Sequence, residues 1–488
     1  MSERSASPRH WRETAFAALA FTAVALLAGR VFRPAFDDEI FTLRTLDETT
    51  GGMALFRHLL GGADVHPPLS YMLFYTAQVV GFGEHGMRAL SLVLSAGTVA
   101  LSHRLLLRLG DRHGTTWAER LVALLVLATT PLLVSQGDAI RWYPLYGFLF
   151  MAALWLHVRE RDANAAAHGS SIAAGLLVSI NFLGIFVFPI LVLDRLVTGR
   201  FRFGREVGQA ALWALFASPG LLTLAAGLAG DGASYAAPQI ASGFLNAAAG
   251  TAIGFLGGHS LGVVQSIAAL PMGLLAVAVL ARAAMDARTR VLAFNFAAMV
   301  AMVGAGFAKP RSFLYLAAAL SVLVANAWLA RTRLGHCAAA VALVTAFGAL
   351  ANLKGNDTPF KRNSVIPVAE AHAFVIENTG EGDVVIVSDS VLYWSLRADA
   401  RACVSLYLTN ERCRPDDAPR LVIVEGHSSP GEIRDDYLSA RERLIQGRRQ
   451  VARAFFGVDE EYALKRQIEP GLGRFVLEGG VYDKIGAN

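Results

Sequence analysis

Residues Arg33 to Leu69 read RPAFDDEIFTLRTLDETTGGMALFRHLLGGADVHPPL, with the acidic triplet Asp37, Asp38, Glu39 near one end and His66-Pro67-Pro68 near the other. An apolar run, Thr14 to Phe32, comes directly before it, and a very apolar chain follows. Concentrated charge in that position sits at a membrane face. Ionisable groups beside lipid are costly, and those that persist there serve a function.

The 488 residues are 54% hydrophobic and 17% charged, and the mean hydropathy is +0.44. That composition excludes a soluble protein of this length. The net charge of +5 does not point to nucleic acid, because the arginines stand singly between apolar segments rather than on one basic face. They read as topology signals. Arg4, Arg9 and Arg12 before Thr14 to Phe32 make an uncleaved anchor whose N-terminus lies in the cytosol. Cys337, Cys403 and Cys413 have no metal-binding spacing, and Cys337, within an apolar span, reads as a small core residue.

The loop after the first span is then extracytoplasmic. Pro67 to Phe82 is too short and too mixed for a crossing, which takes about 20 apolar residues. Counting it as one would place Arg104, Arg108, Arg112 and Arg120 outside, against the positive-inside rule. It reads as an interfacial or re-entrant helix. Spans follow at roughly 86 to 107, 120 to 136 and 143 to 157, then a hairpin of two short helices over Ser170 to Val197 that turns near Asn181 to Gly184. A span at roughly 207 to 228 carries an expected kink at Pro219, and the loop Gly230 to Gln265 has no Lys or Arg. Four more, at roughly 263 to 284, 290 to 306, 313 to 330 and 335 to 352, bring the total to about eleven, so the C-terminus lies outside. Residues 1 to 352 form the membrane domain, with 33 to 85 as its first outer loop.

From 353 to 488 the composition is that of a small soluble α/β domain. Asp383 to Val387, Ala402 to Leu408 and Arg420 to Val424 read as strands, and Ile433 to Gln446 as a helix. Cys403 and Cys413, outside the membrane, fit a disulfide or two buried thiols equally well.

The topology brings three charged clusters to one face: Asp37-Asp38-Glu39 with His66, Asp138 with Arg141, and Lys309 with Arg311. Carboxylates beside cations suit group transfer from a phosphate leaving group. Asp38 can take a proton from an acceptor hydroxyl, and Arg141, Lys309 and Arg311 can stabilise charge on the departing phosphate. The first turn after Pro67-Pro68 offers amides to an anion near His66. Each cluster has a plainer reading: an acidic first turn, a cap, an interfacial anchor, or a snorkelling cation. The four carboxylates could also hold a divalent ion, but the surrounding cations argue against one.

An Asp-Glu after the first span, His-Pro-Pro-Leu at the loop's end, an Arg element and a late Lys-Pro-Arg element together resemble the GT-C glycosyltransferases that use polyprenyl-phosphate sugars. The nearest branches are the family 39 protein O-mannosyltransferase-like enzymes and the lipid A aminoarabinose transferase, whose outer domain VSDSVLYWSLRADA also resembles. The resemblance implies a multi-pass bacterial inner-membrane enzyme with a periplasmic C-terminal domain, no cofactor, and a lipid, glycan or protein acceptor. It implies Asp38 as catalytic base with Glu39 as its acidic neighbour. By the same resemblance His66 falls where the aminoarabinose enzyme has a Lys near the lipid phosphate, and Lys309 and Arg311 match that enzyme's late basic element. The chain departs at the second acidic site, where the aminoarabinose enzyme has Asp-Pro and this chain has Tyr143-Pro144; Asp138 then matches the Glu-Ala-Arg form of other members. A transporter or flippase would instead spread charge through the midplane of two related halves. A non-catalytic scaffold would leave the three clusters without a shared purpose, and a hydrolase built on Ser388, Asp389 or His427 has no motif.

Overall fold

The computed structural model describes residues 8–27, 39, 42–43, 45–46, 49, 51–60, 66–109, 115–163, 168–229, 275–304, 314–353, 368–388, 392–393, 396, 400–406, 413–426, 439–456 and 477–484. The chain divides into two compact units. One joins residues 1–33 to 42–362; the other joins 34–41 to 363–488.

The first unit is helical: α1 (Pro8–Leu27), α2 (Gly52–Leu60), α3 (Leu69–Val79), α4 (Glu84–Leu109), α5 (Trp117–Ala128), α6 (Pro131–Gln136), α7 (Trp142–Ala163), α8 (Gly169–Val178), a 3₁₀ turn (Phe182–Phe186), α9 (Val187–Val197) and α10 (Phe203–Ala229). After them come α11 (Leu275–Met285), α12 (Arg290–Gly304), α13 (Leu314–Leu329) and α14 (Arg333–Leu353). Among the described residues, Glu84–Leu109 and Phe203–Ala226 are long and apolar enough to cross a membrane. α3, with 11 residues, is about 16 Å long, roughly half a hydrocarbon core.

The expected span at 120 to 136 is two helices. Pro131 cannot donate to α5, so a new helix starts with it at the first position, where its missing N–H costs nothing. Thr130 donates its hydroxyl to the carbonyls of Val126 (3.1 Å) and Leu127 (3.2 Å), satisfying the end of α5. Pro219, by contrast, lies inside a continuous α10. Its ring leaves the Leu215 carbonyl without its usual donor, and the Ser218 hydroxyl takes that place at 2.8 Å. The run after Ser170 breaks where expected, with Asn181 capping the 3₁₀ turn through Leu183 N–H at 3.0 Å.

α4 and α7 pack most extensively. Arg88, Ser91, Ser95, Thr98 and Ser102, spaced three and four apart, lie on one face of α4 and are all buried. Small polar side chains let the two backbones approach closely, as between membrane helices generally. Gly97 continues this fit: a Cβ there would lie 2.9 Å from the Phe148 ring. Cys337 departs from expectation, because it is exposed on α14 rather than in the core.

The second unit has α15 (Val368–Asn378) and a sheet of β1 (Val384–Val387), β2 (Cys403–Leu406), β3 (Arg420–Gly426), β4 (Arg448–Phe456) and β5 (Leu477–Lys484). The order is β2-β1-β3-β5-β4; β1 runs parallel to β2 and β3, and β5 antiparallel to β3 and β4. β1 is apolar throughout because both faces are covered. Val385 and Val387 pack with Ala371 and Val375 of α15, while Val384 and Ile386 pack with Cys413, Ala418 and Leu444. Cys403 and Cys413 form a disulfide, their Cα atoms 5.5 Å apart.

Candidate functional site

The turn between α6 and α7, residues 137 to 141, carries two of the expected site residues. Asp138 is 0% exposed and Arg141 is 5% exposed. Charge so deeply placed needs partners. Asp138 Oδ2 lies 3.5 Å from Nη1 of Arg88, itself 0% exposed. Arg88 also donates from Nε (3.2 Å) and Nη2 (2.9 Å) to Glu84, one turn earlier on α4. Arg141 donates from Nη1 to the hydroxyls of Thr42 (3.2 Å) and Tyr71 (3.4 Å). Tyr71 belongs to α3, so the short helix after the two prolines meets the start of α7 through this guanidinium.

His66 reaches the same place: its ring is 6.0 Å from that of Trp142, the first residue of α7. Trp142 is buried, and its indole N–H has no hydrogen-bond partner among the described residues. The amides at the start of α3 are less open to an anion than the prolines imply, because Leu69 N–H donates to the Ser179 carbonyl at 3.0 Å. His66, Asp138 and Arg141 are therefore brought together. Glu39 is buried and groups with the C-terminal unit. Asp38, Lys309 and Arg311, and the loop Gly230 to Gln265, lie outside the described residues.

Arg88 was missed by reading cations as topology signals alone. Its signal was present: Glu84 stands four residues before it, and a charged pair at the start of an apolar helix wants a partner across the interface.

A second buried network lies at the other end of α7. Asp194 Oδ2 accepts from His157 Nε2 (2.8 Å) and Arg161 Nη1 (3.3 Å). Arg195 donates from Nη1 to His157 Nδ1 at 3.2 Å and from Nη2 to Glu206 at 2.7 Å. A guanidinium only donates, so Nδ1 is the acceptor and His157 is the neutral tautomer carrying its proton on Nε2. Arg161 also donates to the Ala287 carbonyl at 2.9 Å, which ties α7 to the α11–α12 turn.

No protein-family model and no curated protein sequence matches the chain. Solved structures do. ArnT from Cupriavidus metallidurans bound to undecaprenyl phosphate aligns with a TM-score of 0.51 at 11% identity, covering 94% of this chain and 97% of that one. The chain shares the fold of that protein. The same protein in the apo state aligns with a TM-score of 0.50 at 13% identity and the same coverage, 94% and 97%. Both alignments take in nearly the whole of each chain. The composition, 54% hydrophobic with a mean hydropathy of +0.44, is that of a membrane protein.

Proposed function

We propose that the chain is an inner-membrane glycosyltransferase moving a sugar from a polyprenyl-phosphate donor to a hydroxyl of a lipid, glycan or protein at the periplasmic face. The observation that carries the reading is the buried charge at the start of α7, where Arg141, Asp138 and Arg88 converge with His66 nearby, in a fold shared with a protein crystallised with undecaprenyl phosphate.

In the proposed reaction the bond between the sugar's anomeric carbon and the phosphate oxygen breaks as a bond to the acceptor oxygen forms. Asp38 takes the acceptor's proton, with Glu39 beside it in sequence. Polyprenyl phosphate leaves, and attack opposite the leaving group inverts the anomeric centre. His66, Arg141, Lys309 and Arg311 hold the phosphate and stabilise the charge that grows on it. The buried indole N–H of Trp142 is a further donor for a phosphate or sugar oxygen. Asp138, paired with Arg88, shapes the charge around Arg141. The cations do the work that a divalent ion would do, so chelator leaves the rate unchanged.

The test is mass spectrometry of envelope lipids, glycans and glycoproteins from cells with and without the protein. One sugar disappears from one acceptor when the protein is absent; identical profiles count against the reading.

A further inference from the structure

We infer that Arg88 is a positioning residue for the donor phosphate: with Ser91 and Ser95 it clamps residues 137–139 to α4 and gives Asp138 a counter-charge, so that Arg141 is presented to phosphate. The inference rests on the phosphate role proposed for Arg141.

Three contacts from one face of α4 support it. Ser95 Oγ donates to the Gly137 carbonyl at 2.9 Å, Arg88 Nη1 lies 3.5 Å from Asp138 Oδ2, and Ser91 Oγ donates to the Ala139 carbonyl at 2.8 Å. The three donors stand three and four residues apart on one face of α4, so a single rigid helix grips three consecutive residues. The gripped segment needs outside support. It joins two helices without belonging to either, and α6, with six residues, is too short to hold a direction by itself. A guanidinium rooted two residues beyond the clamp binds an anion at lower entropic cost when its backbone is already fixed.

Arg88 adds what the serines cannot. Asp138 is three residues from Arg141, and a carboxylate there repels the phosphate and competes with it for the arginine. The buried Arg88 offsets that charge.

The experiment titrates undecaprenyl phosphate into the full-length protein in detergent, with binding read by native mass spectrometry of the folded protein and melting temperature measured in parallel. Arg141→Gln raises Kd by roughly a hundredfold, Arg88→Gln by roughly tenfold and Arg88→Lys by about threefold. Adding Asp138→Asn to Arg88→Gln brings Kd back towards the wild-type value, because the unbalanced carboxylate is gone. A merely structural role would lower the melting temperature and leave Kd of the folded protein alone. Should Arg88→Gln fail to fold, Arg88→Lys and the pair Ser91→Ala/Ser95→Ala, each raising Kd about threefold, carry the test. Wild-type Kd in these variants, with Arg141→Gln weakened, overturns the inference and leaves the phosphate role standing. Wild-type Kd in Arg141→Gln overturns both.

Discussion

The two ends of α7, about 33 Å apart along its 22 residues, both bury charge, and they bury it differently. At the C-terminal end the guanidiniums of Arg161 and Arg195 meet Asp194 and Glu206 at 2.7 to 3.3 Å, with His157 wedged between Asp194 and Arg195. At the N-terminal end Arg88 stands 3.5 Å from Asp138 and Arg141 donates to two hydroxyls at 3.2 and 3.4 Å, while Ser91 and Ser95 hold the backbone of the turn at 2.8 and 2.9 Å. Catalytic and binding contacts are commonly long before the ligand arrives and tighten around it. Burial of charge alone therefore does not identify a site; what the variants at each end do to stability and to binding separates a lock from a place that receives a ligand.

The largest expected effect falls on the lock. Asp194→Ala leaves one arginine, Arg161, and a histidine, His157, facing an empty place, which costs about 3–5 kcal/mol. The measurement is melting temperature and membrane abundance, with undecaprenyl phosphate binding by the surviving folded protein unchanged. Weakened binding in that fraction would erase the distinction between the two ends. Next comes Arg141→Gln, which lowers sugar transfer by roughly a hundredfold while moving the melting temperature little. The reverse pattern, lost stability with retained transfer, would make Arg141 part of a second lock.

The smallest effect lies in the other unit. Arg420 donates to Asp483 at 2.7 Å and holds its carboxyl below the usual range. A carboxylate depressed on folding stabilises above its unfolded pKa, and that contribution is lost as pH falls through the depressed folded value. Both side chains are more than a third exposed, so the pair contributes less than about 1 kcal/mol. Arg420→Gln should speed amide exchange at β3 and β5 slightly at pH 7, and the difference from wild type should vanish in strong acid. A difference independent of pH would assign the effect to packing.

Much of the architecture was legible because lipid and water impose simple rules. The apolar runs, the short segment after Pro67-Pro68, the break near Asn181 and the apolar strands β1 to β3 all follow from length and hydropathy. What stayed hidden was set by local chemistry between distant residues. The split at Pro131 was masked by apolar neighbours that continue the hydropathy of α5. β4, an edge strand reading RRQVARAFF, carries its cations on the strand itself, and β5 contains Gly479 and Gly480, so neither has the alternation of an ordinary strand. Asp138 and Arg141 could be picked out as charges out of place, whereas Arg88 could be assigned only once α4 was seen to face the 137–139 turn.

The central claim, transfer from a lipid phosphate to an acceptor hydroxyl with Asp38 as base, is tested most directly by restoring a strain that lacks the protein with Asp38→Asn at matched membrane abundance. Mass spectrometry should find the envelope sugar still missing, as in the deletion. Full restoration of that sugar would contradict the account.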